Sequence, residues 1–97
     1  MAYILTQKAE TDILHHYAEG VQEYGLAHTE EYLSELEKIF YFLSDNPEAA
    51  RERSEINPPA RVHRYKAHIV IYLIKENRDV LILRIRNGRE DWISEPI

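Results

Sequence analysis

The chain has 97 residues, which allows one compact domain with a modest core. It holds no Cys, so a disulfide scaffold and a thiolate metal site are excluded, and no apolar run approaches the roughly 20 residues of a membrane span. Net charge is −5 but unevenly spread: residues 1–60 carry four Lys/Arg against twelve Asp/Glu, and residues 61–97 carry eight against five. Two readings of that asymmetry stand side by side. One half is built for an acidic partner, or the helices simply carry solvated Glu on their outer faces. The opening Met1–Thr6 lacks a basic and then apolar leader, so secretion is not expected and a cytoplasmic location is.

Tyr3, Ile4 and Leu5 read as a short strand. Thr6 suits the cap of a helix starting at Gln7, because its hydroxyl can accept a free first-turn N–H. Ala9, Ile13, Tyr17 and Val21 then recur at four-residue steps, one apolar face at helical period. Gly25 closes this helix. A second helix is expected over about Ala27–Ser44, with Leu33, Leu36, Phe40 and Leu43 stepping by three and four. The break at Gly25 is too short for another element, so the two helices fold back as a hairpin. Asp45-Asn46-Pro47 ends it.

Glu48–Ala60 is the one long connection, charged and carrying Pro58 and Pro59, and reads as an ordered loop or a short helical turn. The period then changes. Arg61–Lys66 alternates weakly, and His68–Ile74 is almost continuously apolar, as a strand buried on both faces would be. Lys75–Asp79 is a polar turn and Val80–Ile85 a further apolar strand. The expected class is α+β, order β-α-α-β-β-β, with the N-terminal helical hairpin packed on one face of a small antiparallel sheet.

Five His residues raise a metal hypothesis. His15 and His16 are neighbours on a helix, so they point about 100° apart and cannot both face one ion. His63 and His68 lack a carboxylate at ligand spacing, and no metal site is expected. No Gly-rich phosphate loop or nucleophile-elbow Ser is present. Trp92 stands in the polar tail Asn87–Ile97, where it either folds back on the domain or anchors a partner. The basic set Arg61, Arg64, Lys66, Arg84, Arg86 and Arg89 comes from strands and tail. Arg84 and Arg86, two apart, should share a face. Such a patch suits RNA phosphates with His63 or His68 as acid or base, acidic groups of a protein partner, or plain solvent.

Several stretches together resemble the ParE branch of the RelE/ParE toxins over nearly the whole chain. Leu5-Thr6-Gln7-Lys8-Ala9-Glu10-Thr11-Asp12-Ile13 resembles the family's strand into a capped helix, and Tyr32-Leu33-Ser34-Glu35-Leu36 its second helix. Leu43-Ser44-Asp45-Asn46-Pro47 followed by Arg51 is similar to its Asn-Pro…Gly-Arg stretch, with Ala50 at the Gly place. Arg61 and His68-Ile69-Val70-Ile71-Tyr72 are similar to its central strands, and Ile82-Leu83-Arg84-Ile85 with Gly88-Arg89-Glu90-Asp91 to its last strand and tail. Asn87 stands where the family commonly has His, and Arg86 where it has an apolar residue. The ribonuclease branch commonly has an Arg three residues before the strand Tyr, here Ile69, and a tail Tyr, where this chain has only Trp92.

The resemblance implies the toxin of a type II toxin–antitoxin system that inhibits DNA gyrase and is neutralised by a ParD-like antitoxin in a hetero-oligomer. It implies no cofactor and no catalytic residue, no membrane, and no sequence-specific nucleic-acid binding. The antitoxin is expected to lay a flexible, acidic segment over the hairpin and sheet. On this reading Arg84, Arg86, Arg89 and Trp92 form the gyrase-binding surface, and Tyr17, Leu33, Leu36, Phe40, Arg61, Arg64 and Tyr72 bind antitoxin. Two alternatives remain: a ribosome-dependent mRNA endonuclease using Arg61, His63, Arg84 and Arg89, or a non-toxic remnant that only binds antitoxin.

Overall fold

The computed structural model describes residues 2–97, in the order β1 (Tyr3–Leu5), α1 (Gln7–Tyr24), α2 (Leu26–Asp45), a single 3-10 turn (Pro47–Ala49), β2 (Glu52–Arg53), β3 (Ala60–Tyr65), β4 (His68–Ile74) and β5 (Val80–Asn87). Thr6 caps α1 as expected: its Oγ1 accepts from the Ala9 N–H at 3.0 Å. The same hydroxyl donates to the Leu83 carbonyl at 2.7 Å, so the cap also ties the helix start to β5. Gly25 serves both helices at once. It closes α1 and opens α2 with φ 88°, a left-handed backbone that favours Gly.

The strands form one five-stranded sheet in the order β1-β5-β4-β3-β2. The expected antiparallel sheet is corrected to a mixed one. β1 runs parallel to β5, with Tyr3, Ile4 and Leu5 opposite Val80, Leu81 and Ile82. A parallel pair needs a long crossover, and the helical hairpin and the meander lie between these two strands. β2 is a second addition, a two-residue edge strand against Ala60 and Arg61 within what reads as a loop. The other neighbours are antiparallel, as expected.

The register slips once, where Ile71 faces Arg84 but Tyr72 faces Ile82. Leu83 is the extra residue of this bulge. The slip keeps Val80, Ile82 and Ile85 in one buried cluster with Val70, Tyr72, Ala9, Leu36, Phe40 and Leu43, which is the core under the helices. Ile69, Ile71, Ala60, Ile56 and Trp92 make a second cluster, with Val62 and Leu83 packed against it. β4 therefore supplies alternate residues to two cores, which is why its sequence is apolar without a break.

Candidate functional site

The basic residues of the second half are mostly engaged inside the molecule. The Arg84 guanidinium takes Asp12 of α1 in both carboxylate oxygens, at 2.6 and 2.8 Å, and the same carboxylate accepts the Ile85 N–H at 3.0 Å. The pair is largely shielded, and its hydrogen bonds hold the Arg84 pKa above the ordinary value. It fastens the flank of α1 to β5 beyond the end of β1.

Arg86 turns elsewhere. Its guanidinium donates to Glu90 at 2.9 and 3.2 Å and to the Glu95 carbonyl at 2.6 Å, pinning the tail. That bond holds the Glu90 carboxyl below its usual range. The two arginines stand opposite Ile71 and Ile69 on one face of β5, as their spacing predicts, but their guanidiniums serve different elements and leave no open basic patch there. Trp92 is only 7% exposed, packed in the second cluster, with the Arg53 guanidinium 5.3 Å from its ring centroid. It folds back, and its role as an exposed partner anchor is corrected. Of the four tail residues, only Arg89 has an exposed side chain.

The expected antitoxin-binding set divides in the same way. Leu36, Phe40 and Tyr72 are buried in the helix-side core, so as surface contacts they are corrected. The Tyr72 hydroxyl donates to the Pro47 carbonyl at 2.8 Å and accepts the Ala50 N–H at 3.3 Å. Arg61 donates to the Ala50 carbonyl at 2.5 Å and holds the same connection. Tyr17 and Leu33 are half-buried, and Arg64 is exposed. The Arg64 guanidinium lies so close to Gly88 that a Cβ there would meet it at 2.9 Å. The endonuclease set is dispersed as well. Arg61 is on Ala50, Arg84 is on Asp12, and Arg89 is in the tail. His63 packs near Phe42, where burial lowers its pKa.

The surface feature that the sequence did not mark out is a cleft of about 600 Å³ between the tip of the hairpin, the β3–β4 turn and the end of β5. His16 of α1 donates from Nε2 to the Ile85 carbonyl at 2.8 Å, since a carbonyl only accepts. The His16 ring lies 4.2 Å from the ring of His68, whose Nδ1 is hydrogen-bonded to the Tyr32 hydroxyl of α2. Burial first, and His16 second, push the His68 pKa down to about 4, so it is neutral at pH 7. Burial, with Tyr65 nearby, pushes Tyr32 up to about 12. Beside them Tyr65 donates to Glu35, and Lys66 lies 3.4 Å from the same carboxylate. Gly20 admits α2 to close range here, since a Cβ would meet the Thr29 hydroxyl at 2.9 Å. The sequence signal was present in His16, Tyr32 and His68, but they come from three elements, and no local spacing joins them.

A helical hairpin on one face of a small mixed sheet is also the fold of the solved structure described as "Chromosomal ParDE TA system from P. aeruginosa". The match has a TM-score of 0.73 at 22% identity and covers 90% of this chain and 95% of that one. The likeness shows that the two chains share a fold. The family model for the ParE toxin of type II toxin–antitoxin systems, parDE, matches residues 3–92, and the chain belongs to that family. It is 30% identical over 93 residues to Toxin ParE of Escherichia coli, covering 96% of this chain and 90% of that protein. Similarity to Toxin ParE3 of Caulobacter vibrioides is also 30%, over 92 residues, covering 95% and 91%.

Proposed function

We propose that this ParE-family toxin acts by binding proteins: it inhibits DNA gyrase and is held inactive by a ParD-like antitoxin. The observation that carries the reading is the family match across residues 3–92. The scattering of Arg61, His63, Arg84 and Arg89 supports a binder over a nuclease, because an RNA cleavage site needs its cation and its acid or base around one phosphate. In this reading the gyrase-directed surface is centred on Arg89 and the exposed Ile93 and Ile97 of the tail. Trp92 and Arg86 hold that tail in place. The antitoxin covers the outer hairpin and sheet rim, where Tyr17, Leu33 and Arg64 are accessible.

The test is a supercoiling assay with purified toxin and gyrase. The expected result is inhibition, or accumulation of gyrase–DNA cleavage complexes, at micromolar toxin. Arg89→Glu should weaken it while leaving the circular dichroism spectrum unchanged. An unaffected gyrase would refute the target. Discrete cuts within mRNA codons after induction would favour the endonuclease instead, and no growth defect without antitoxin would favour the remnant.

A further inference from the structure

Both helices of the hairpin are tied to the sheet at one point, by two adjacent imidazoles. His16 of α1 donates to the Ile85 carbonyl of β5 at 2.8 Å, and Tyr32 of α2 is hydrogen-bonded to His68 at the start of β4. The two rings lie 4.2 Å apart, so α1, α2, β4 and β5 meet across this contact. Toward Gly25 the polar ties stay inside the hairpin: Glu19 pairs with His15 at 2.6 Å, and Thr29 donates to the Gly25 carbonyl at 2.8 Å. Beyond the two rings the tip is about two turns of each helix, and helices that short are marginal in water without packing.

A charge on His68 would have little to meet it. Glu19 and Glu90 face the ring and favour its charged form, but each already holds another group, Glu19 on His15 and Glu90 on Arg86 at 2.9 Å. Asp12 is taken by Arg84 on the α1 side, and Glu35 by Tyr65 and Lys66 on the α2 side. The Lys66 ammonium of the β3–β4 turn lies 5.7 Å from the Tyr32 ring centroid and adds positive charge there. Glu23 and His28 line the same cleft nearer Gly25. The Tyr32 hydroxyl supplies no anion, because burial pushes its pKa up to about 12. Burial first and His16 second outweigh the two carboxylates, and His68 is held down to about 4 from an ordinary 6.5.

We propose that the His16–His68 pair is an acid-operated clasp: with His68 neutral it holds the hairpin tip on the sheet, and charging that ring frees the tip to unravel ahead of global unfolding. The sign follows from the two states. In the freed tip His68 stands in water and binds a proton near pH 6.5; in the closed form it does so only near 4. The closed form is therefore fully favoured above 6.5, and the freed fraction grows up to tenfold per pH unit as pH falls toward 4. The clasp belongs to this chain alone and does not depend on which partner the outer hairpin binds.

Two NMR measurements on the full chain test it. The first follows the His68 ring proton from pH 7.5 to 3.5. Its midpoint should lie well below 6, and a midpoint near 6.5 overturns the proposal. The second is amide hydrogen exchange, corrected for the intrinsic pH dependence of the rate. Protection of Val21 and Gln22 should be lower than that of Val70 and Tyr72 at every pH, and should fall about twentyfold between pH 7 and 5. In His68→Gln, which keeps a polar group for Tyr32 but takes up no proton, the fall should be under about threefold. His16→Gln should reduce the fall without abolishing it. An equal fall in His68→Gln and the unaltered chain overturns the clasp. Equal protection of tip and core amides overturns it as well, because opening is then global. Should His68→Gln fail to fold, the ring titration and the tip-against-core comparison in the unaltered chain decide alone.

Discussion

The two faces of the sheet are built from the same strands but covered by different means. Under the helices, Val70 and Tyr72 of β4 meet two helices of 18 and 20 residues that bring Ala9, Leu36, Phe40 and Leu43. On the other face, Ile69 and Ile71 are covered by Ile56 of a loop and Trp92 of the tail. Regular helices bring their own backbone hydrogen bonds and a continuous apolar stripe. A loop and a tail bring one or two large side chains and must be pinned by polar contacts, here Arg86 to Glu90 and to the Glu95 carbonyl. Burial in the folded chain is similar for the two, but the second cover can loosen without unfolding the first.

The largest expected effect tests the helix-covered face. Tyr72→Ala removes a fully buried ring and leaves the Pro47 carbonyl and the Ala50 N–H without their partner. A loss of about 4 kcal/mol in urea unfolding is expected, a large share of a small domain's stability. A loss under about 1 kcal/mol would mean that this core is far looser than its burial indicates.

Trp92→Ala probes the other face. It should cost about 2 kcal/mol, below the usual range for deleting a buried Trp, because the tail after Gly88 can close part of the void. As Trp92 is the one Trp, its fluorescence reports this cover alone. In the unaltered chain it should shift to the red at lower urea than the loss of helical circular dichroism. Coincident transitions would show that the two faces unfold as one unit.

A third test uses pH and the open rim of the helix-covered face. His68 titrates near 6.5 when unfolded and at about 4 when folded, mainly because burial disfavours the charged ring. Between those values the unfolded chain binds the extra proton. Stability contributed by neutral His68 is therefore present above pH 6.5 and is lost as pH falls toward 4, by at most about 1.4 kcal/mol per pH unit. His68→Phe should flatten the fall in Tm between pH 6.5 and 4.5 relative to the unaltered chain. Parallel curves for the two proteins would refute this assignment.

The smallest effect is again on the loop-and-tail face. Arg53→Ala removes the cation lying 5.3 Å from the Trp92 ring centroid and should cost about 0.5–1 kcal/mol. It should also bring the fluorescence transition to lower urea while leaving the circular dichroism transition nearly in place. Equal movement of both would tie the two covers together.

Local periodicity determined a good deal by itself. The four-residue steps of Ala9, Ile13, Tyr17 and Val21, the Thr6 cap, the Gly25 break and the unbroken apolar run His68–Ile74 all concern neighbours along the chain, where backbone geometry ties sequence directly to structure. Both helices, the last three strands and their order were legible for that reason. Tertiary structure alone decided the parallel pairing of Tyr3–Leu5 with Val80–Ile82, because each strand's pattern is satisfied equally by either direction of a neighbour. It also decided which arginines are free. Arg84 meets Asp12 across 72 positions, and no spacing rule reaches that far. Trp92 was left open between core and surface by its sequence context, and burial against Ile69 and Ile71 settled it. The cleft belongs to the same kind: Glu19, Tyr32, His68 and Glu90 come from four parts of the chain. They acquire a common chemistry only when the hairpin folds onto the sheet, since charge and hydrogen bonding act through space while sequence patterns are read along the chain.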